Sequence, residues 1–182
     1  MMRHAMLALL LLLPCGSLAQ DDTLDHQARL EKSLQAWETL KKECGGNYSY
    51  RVSWSSFTGF GHETVVVVQR NRVVERHFRE FNRRRPPTGD RPDLASWIEN
   101  KRQLSSHKRG APALTLDQLY GQAEKVLQRE LTPNVGRYLR FDKQGLLLSC
   151  FDVDRRIADD APRRGVAITS IELEKKRPPG KK

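Results

Sequence analysis

Basic side chains form the densest cluster of chemically useful residues in this sequence. Between Arg70 and Arg109 there are twelve Lys or Arg residues and five Asp or Glu residues, so this stretch carries +7 of the chain's formal net charge of +10. Guanidinium groups bind sulfate and phosphate through charge-assisted hydrogen bonds. We therefore predict a basic binding surface, and the residues that form it are Arg76, Arg79, Arg83, Arg84, Arg85, Lys101, Arg102, Lys108 and Arg109.

The predicted partner of this surface is anionic: a glycosaminoglycan, a phospholipid or an acidic protein. Nucleic acid is not expected, because the stretch 82–114 shows no run of aromatic residues interleaved with basic ones. The alternative is that these charges belong to a solvated strand face and loop.

Catalytic and metal-binding patterns are not found in the sequence. No Gly-x-Ser-x-Gly or His-Glu-x-x-His motif occurs, and His62 and His77 lack a second histidine at helical spacing. Four aspartates between 152 and 160 offer oxygen ligands of the kind that calcium prefers. Arg155 and Arg156 interrupt them, which favours a solvated loop with internal ion pairs. We predict a non-enzyme with no catalytic residue, no metal and no cofactor.

The first nineteen residues are typical of a signal peptide. Arg3 precedes a short apolar run, Met6–Leu13, and small residues at Ser17 and Ala19 predict cleavage before Gln20. The protein is therefore expected to be secreted and extracellular, with no membrane-spanning segment, because the apolar run is shorter than the roughly 20 residues that a span needs. An uncleaved anchor and a lipoprotein attached at Cys15 are the alternatives.

Two covalent modifications follow from a secretory route. Removal of residues 1–19 leaves Cys44 and Cys150, and an even cysteine count in an oxidising compartment predicts a disulfide. Two buried free thiols are the alternative. Asn47-Tyr48-Ser49 is an N-glycosylation sequon, so Asn47 is a predicted glycosylation site if the source is eukaryotic.

Hydrophobic periodicity predicts an α+β fold, with two helices and a curved antiparallel sheet in the order α-βββ-(insertion)-α-βββ. The first helix is predicted at Leu24–Lys42, and the basic insertion at 82–114 is partly mobile and contains a short helix at Asp93–Leu104. Thr115 and Gln118 form a capping box at the start of the second helix. The predicted strands are Tyr48–Phe57, Glu63–Arg70, Arg72–Phe81, Val135–Asp142, Leu146–Val153 and Val166–Leu173. Residues 20–174 are predicted to form one domain, and 175–182 are predicted to be a disordered basic tail.

Several short motifs resemble a family of small bacterial envelope and secreted proteins, a domain of unknown function. They are Trp37, Tyr48-Ser49-Tyr50, Val65–Val68 with Asn71, Thr115–Leu119, Phe141-Asp142 with Gly145, and Ala158-Asp159-Asp160. The resemblance covers about 37–173, supports the α+β order and transfers no functional residue. The insertion at 82–114 and the absence of a proper lipobox depart from the family pattern.

The sequence is compatible with three function classes. The favoured one is a non-catalytic binding module whose basic face engages an anionic partner. The second is a cystatin-like protein-interaction or inhibitor domain, in which the loop Thr58–Glu63 inserts into a partner through Phe60 and His62. The third is a hydrolase with a pocket at His77 or at the acidic loop.

Overall fold

The structure is a computed structural model that describes residues 18–84, 94–157 and 161–174, with side chains from residue 25 onward. These residues form α1 (Leu18–Glu43), β1 (Tyr48–Ser55), β2 (Phe60–Gln69), β3 (Arg72–Asn82), β4 (Ser96–Asn100), α2 (Leu116–Leu127), β5 (Val135–Phe141), β6 (Leu147–Asp154), β7 (Arg164–Ala167) and β8 (Ser170–Leu173). Most of the predicted signal peptide, Arg85, Asp159, Asp160 and the predicted basic tail lie outside the described residues.

The strands form two antiparallel sheets, and the predicted α+β class is confirmed. One sheet has the order β4-β3-β2-β1-β8 and the other the order β5-β6-β7. Strands β1, β2 and β3 follow one another as an antiparallel meander, with Tyr50 of β1 opposite Val66 of β2 and Val66 opposite Arg76 of β3.

The single curved sheet is replaced by these two sheets because the last predicted strand changes partners. Ile168 N donates to Leu148 O beside β6, and Thr169 N donates to Arg51 O of β1. The predicted strand Val166–Leu173 is therefore divided into β7 in one sheet and β8 in the other. Gly165 just before this junction has a φ of 152°, and a Cβ there would lie 2.3 Å from Cys150 O.

Helix α1 ends where the sequence predicts, at two glycines. Gly46 N donates to Lys41 O at 2.9 Å, and Gly46 has a φ of 68°, which a residue with a Cβ rarely adopts. A Cβ at Gly46 would also lie 2.3 Å from Asn71 Oδ1 in the β2–β3 turn. The close approach of this turn to the end of α1 thus requires glycine.

The N-terminus of α2 is held by its own cap and by two other elements. The predicted capping box is confirmed, with the Thr115 side chain accepting from Gln118 N and the Gln118 side chain accepting from Thr115 N. Tyr48 Oη accepts from Leu116 N at 2.8 Å. Trp37 Nε1 donates to Asp117 Oδ1 at 2.8 Å, which ties α1 to the same turn.

The hydrophobic core lies between the two helices and the inner faces of both sheets. Helix α1 contributes Leu30 and Trp37, and α2 contributes its fully buried Ala123. The other buried members come from α2 and from both sheets: Tyr48, Tyr50, Val66, Val68, Leu116, Leu119, Tyr120, Val126, Leu127, Leu139, Leu146, Leu147, Cys150, Val166 and Ile168. Because side chains from both sheets are buried in one cluster, the two sheets pack together as a single unit.

The helix predicted at Asp93–Leu104 is wrong, because residues 96–100 form strand β4 on the edge of β3. Trp97 stacks on Phe78 of β3 with ring centroids 5.1 Å apart. Glu99 lies opposite Arg76 and pairs with it inside the protein. These contacts with β3 override the apolar spacing that favours a helix.

The predicted Cys44–Cys150 disulfide is also wrong, because both cysteines are free and buried. The two thiols face different parts of the interior. Cys44 Sγ lies 3.5 Å from Lys41 O in the last turn of α1, whereas Cys150 Sγ lies 3.6 Å from Ala123 O of α2. Cys150 belongs to the hydrophobic core cluster, whereas Cys44 lines a hollow at the end of α1.

Among the helices in the described ranges, none combines the length and the apolar character that a transmembrane span requires.

Candidate functional site

The predicted basic residues are divided among the interior and several separate surfaces. Arg76 lies in the interior, on the face of β3 that packs against the chain between β4 and α2. Its Nη1 and Nη2 donate to Ala111 O and His107 O, and its guanidinium lies 4.9 Å from the ring centroid of Trp97. The Arg76 charge is thus committed inside the protein.

Glu99 is the partner of this buried arginine. Arg76 Nε lies 3.0 Å from Glu99 Oε2 but is not aligned for a hydrogen bond, so the contact is ionic. Burial alone would raise the pKa of Glu99, but the hydrogen bonds from the backbone of His107 and Ser105 and from the side chains of His107 and Ser106 lower it to about 2. The carboxylate therefore remains charged and anchors this segment.

Two further predicted arginines, Arg79 and Arg109, are exposed but form ion pairs with carboxylates. Arg79 and Arg51 both bind Glu63 on the outer face of the five-stranded sheet. Burial opposes ionisation there, but the hydrogen bonds from Arg79 and Arg51 keep the pKa of Glu63 below its usual value. Arg109 binds Glu80, whose pKa is lowered by hydrogen bonds from Ala95 N and Arg109.

The remaining predicted residues lie at two ends of the sheet. Arg83 and Arg84 follow β3 at one end, beside the β1–β2 loop. Lys101 and Arg102 follow β4 and lie near the beginning of β3, because β4 runs antiparallel to it. Lys108 is exposed in the segment that crosses the inner face.

Lys101 and Arg102 meet two arginines that the sequence-based site omitted. Arg70 and Arg72 flank Asn71 in the tight β2–β3 turn, where Arg70 and Asn71 have positive φ values of 50° and 61°. We call Arg70, Arg72, Lys101 and Arg102 the basic cleft. The four side chains lie in exposed residues, and none of them makes an ion pair within residues 18–84, 94–157 and 161–174.

The basic cleft is a polar depression large enough for a sugar or a phosphate ester. A hollow of about 900 Å³ is lined by Arg70, Arg72 and Lys101, together with Glu174. Arg102 lines an adjoining hollow of about 430 Å³, which also contains Lys101 and Glu75. The two hollows together contain four basic residues and two acidic residues, Glu75 and Glu174, so this surface has a net positive charge. The Glu75 Oε2 atom also lies 2.8 Å from His77 Nε2.

Asn47 lies at the edge of the basic cleft. Its Oδ1 accepts a hydrogen bond from Arg70 N at 2.9 Å, and its residue is half-buried. Asn47 is also one of the residues that line the hollow of about 900 Å³. Glycosylation of Asn47 stays a prediction.

The histidines and the acidic loop do not converge on a site. His62 lies between the rings of Trp54 and Phe78, and His77 lines a hollow of about 470 Å³ on the outer face. Asp152 pairs with Arg137 at 2.8 Å, and Asp154 pairs with Arg156 at 2.6 Å. Across the described ranges, no group of three His, Cys, Asp or Glu residues has a metal-binding arrangement.

A second hollow separates the two sheets near the end of α1. It has a volume of about 780 Å³ and is lined by apolar side chains that include Leu40, Leu148 and Ile171. Its rim carries Glu43 and Asp142. This groove was not predicted, because its walls come from segments that are distant in the sequence.

Comparisons with known proteins give no relative: no protein-family model, curated protein or solved structure matches the chain.

Proposed function

We propose that this chain is a secreted, non-catalytic binding module that holds sulfate or phosphate groups of an anionic partner in the basic cleft. The observation that supports this proposal is the proximity of four basic side chains at one end of the sheet that make no ion pair with any residue the structure describes. Other arginines in the same charge run are paired with carboxylates, as Arg76, Arg79 and Arg109 are. The cleft residues therefore have free charge to offer a ligand.

The chemistry of the cleft favours polyvalent anions over single ions. Exposed guanidinium and ammonium groups interact weakly with one small anion in water, because solvent and salt screen each pair. Several such groups around one depression act together on a chain that carries many sulfates or phosphates. A sulfated glycosaminoglycan fits this requirement, and phospholipids and acidic proteins share its chemistry.

Heparin chromatography tests the proposal. The intact protein should elute above physiological salt, and Arg72→Glu combined with Lys101→Glu should lower the eluting salt concentration substantially. The matched control is Lys32→Glu combined with Lys125→Glu, which makes the same change in net charge at exposed positions of α1 and α2. Equal losses in both double variants would show that net charge alone is responsible and would refute the cleft.

The same proteins distinguish the sources of the anion. Binding that the Arg72→Glu, Lys101→Glu variant loses for heparin, but not for polyglutamate or anionic phospholipid vesicles, would assign the cleft to sulfated glycans. Elution of the intact protein below physiological salt would overturn the proposal.

A further inference from the structure

A second surface lies at the opposite end of the sheet, where aromatic side chains are exposed. Of the seven exposed large hydrophobic residues among those described, three fall within the seven-residue stretch 54–60. They are Trp54, Phe57 and Phe60, with exposed fractions of 41%, 85% and 36%. Together with Arg83 and Arg84 we call them the aromatic tip.

The aromatic tip projects beyond the neighbouring strands. Strand β8 pairs only with Tyr48–Arg51 of β1, and β4 pairs only with Glu75–Arg79 of β3. The β1–β2–β3 ribbon continues past both edges, as far as the pairing of Phe60 with Asn82. The loop that joins β1 and β2 is therefore the end of a protruding three-stranded ribbon.

The loop is held in one conformation with Phe57 facing solvent. Ser56 N donates to Phe60 O at 2.8 Å, and Gly59 N donates to Ser56 O at 3.1 Å. From the other side, Arg83 N donates to Gly59 O and Arg84 Nη2 donates to Phe57 O, both at 2.8 Å. A loop that is already ordered loses little conformational entropy when it binds.

Positive charge lies directly behind these aromatic side chains. The Arg83 guanidinium stacks over Phe81 at 5.3 Å from the ring centroid, and Arg84 is held beside the backbone of Phe57. The nearest carboxylates of the ribbon, Glu63 and Glu80, already pair with other arginines. The charge that Arg83 and Arg84 present at the tip is thus uncompensated by these carboxylates.

We infer that the aromatic tip inserts into the interface of a membrane that contains anionic phospholipids. Tryptophan and phenylalanine side chains partition into the boundary between head groups and acyl chains. Arginines just behind them then lie at the level of the negatively charged head groups. A bilayer can accommodate separate aromatic side chains on a protruding loop without a shape-complementary surface. A protein groove would need such a surface, so a bilayer is the better partner for Phe57.

This inference does not depend on the basic cleft. Strand β3 runs from Arg72 at the cleft to Asn82 at the tip, so the two surfaces occupy opposite ends of the same strand. The cleft residues and the tip residues can therefore be varied separately.

Sedimentation with phospholipid vesicles tests the inference on the full chain. The protein should bind vesicles of phosphatidylcholine with phosphatidylserine and bind pure phosphatidylcholine much less. Phe57→Ser should weaken binding to the anionic vesicles about tenfold, since it removes an aromatic side chain from the interface. The control Leu131→Ser removes an exposed apolar side chain outside the tip and should bind as the intact protein does.

Arg83→Gln tests the electrostatic part, because the Arg83 side chain stacks over the Phe81 ring whereas the loop is held by the Arg83 backbone N–H, which the substitution retains. It should weaken binding to anionic vesicles and leave the small binding to phosphatidylcholine unchanged. Emission from Trp54, obtained by difference from Trp54→Phe, should shift to shorter wavelength on anionic vesicles.

Absence of vesicle binding, or equal binding of the intact protein and Phe57→Ser, would overturn the inference. Binding that is lost in the Arg72→Glu, Lys101→Glu variant but kept in Phe57→Ser would assign the vesicles to the basic cleft and also overturn it. Loss of heparin binding alone would refute the proposed function and leave the aromatic tip standing.

Discussion

The Glu99 carboxylate lies under the segment that connects β4 to α2 and accepts hydrogen bonds from it. Ser105 N and His107 N donate at 2.7 and 2.6 Å, and Ser106 Oγ donates at 3.0 Å. The His107 ring stacks on Trp97 at 4.4 Å between centroids. One acidic side chain therefore fixes three consecutive residues of the predicted insertion.

Glu99→Gln should lower the free energy of unfolding by about 3–5 kcal/mol, because the change leaves the Arg76 charge buried without its counterion. Urea denaturation of both proteins measures the difference. Glu75→Gln is the control, since Glu75 lies on the same sheet but is exposed on the outer face, and a change within about 0.5 kcal/mol is expected there. A loss at Glu99 no larger than that of the control would contradict the structural role of the ion pair.

The pKa of Glu99 predicts how stability depends on pH. The folded pKa of about 2 lies below the ordinary value of 4.5, so the ionised carboxylate stabilises the folded state above the ordinary pKa. This contribution is lost as the pH falls from about 5 to about 2. Unfolding measured across this interval should show a shallower pH dependence for Glu99→Gln than for the intact protein, and parallel curves would contradict the assignment.

Replacement by alanine should have opposite effects on stability at two glycines in regular elements. At Gly165 of β7, a Cβ would lie 2.3 Å from Cys150 O, whereas at Gly121 of α2 it would meet no atom within 4 Å. Gly165→Ala should therefore destabilise the protein by about 1–3 kcal/mol. Gly121→Ala should stabilise it by about 0.5–1 kcal/mol, because alanine has the higher helix propensity. Thermal unfolding of the two variants checks both signs, and an equal shift in the same direction would refute this account.

Elements with strong local signals were predictable from the sequence. Helix α1 with its terminal glycines, the alternating strand β1 and the capping box of α2 all carry periodicity or capping residues that act over a few positions. Strand β4 was not predictable, because its pairing depends on Arg76 and Phe78 in another strand. The last predicted strand is divided because its two halves pair with different strands. The sequence pattern of Val166–Leu173 does not indicate which strand each half pairs with.

The sequence predicts that this region is positively charged, but it does not predict which of the basic side chains lie together. The run of basic residues includes Lys101 and Arg102, which are exposed, but it also includes Arg76, whose side chain is buried with Glu99. A signal for the cleft does exist in the sequence: Asn71 predicts a tight turn, and a tight turn brings Arg70 and Arg72 to one end of the sheet. Their proximity to Lys101 required the fold.

Stability of the whole molecule should not depend on reducing agents, because packing and not a crosslink joins the sheets. Cys44 and Cys150 are free, and burial raises the pKa of Cys150 to about 11, which keeps this thiol protonated and unreactive at neutral pH. Urea unfolding curves with and without dithiothreitol should coincide. A lower midpoint with dithiothreitol would show that a disulfide forms after all.

The strand that passes from one sheet to the other has a consequence for biosynthesis. Strand β8 completes the sheet that begins with β1, and β7 completes the sheet of β5 and β6. Both strands come after β1–β6 and α2 in the order of translation. A nascent chain that has emerged only as far as residue 163 lacks Leu173, the β8 neighbour of Tyr48, and Val166, the β7 neighbour of Cys150. Until residues 164–173 have emerged, each sheet therefore lacks one edge strand and the core lacks Val166 and Ile168.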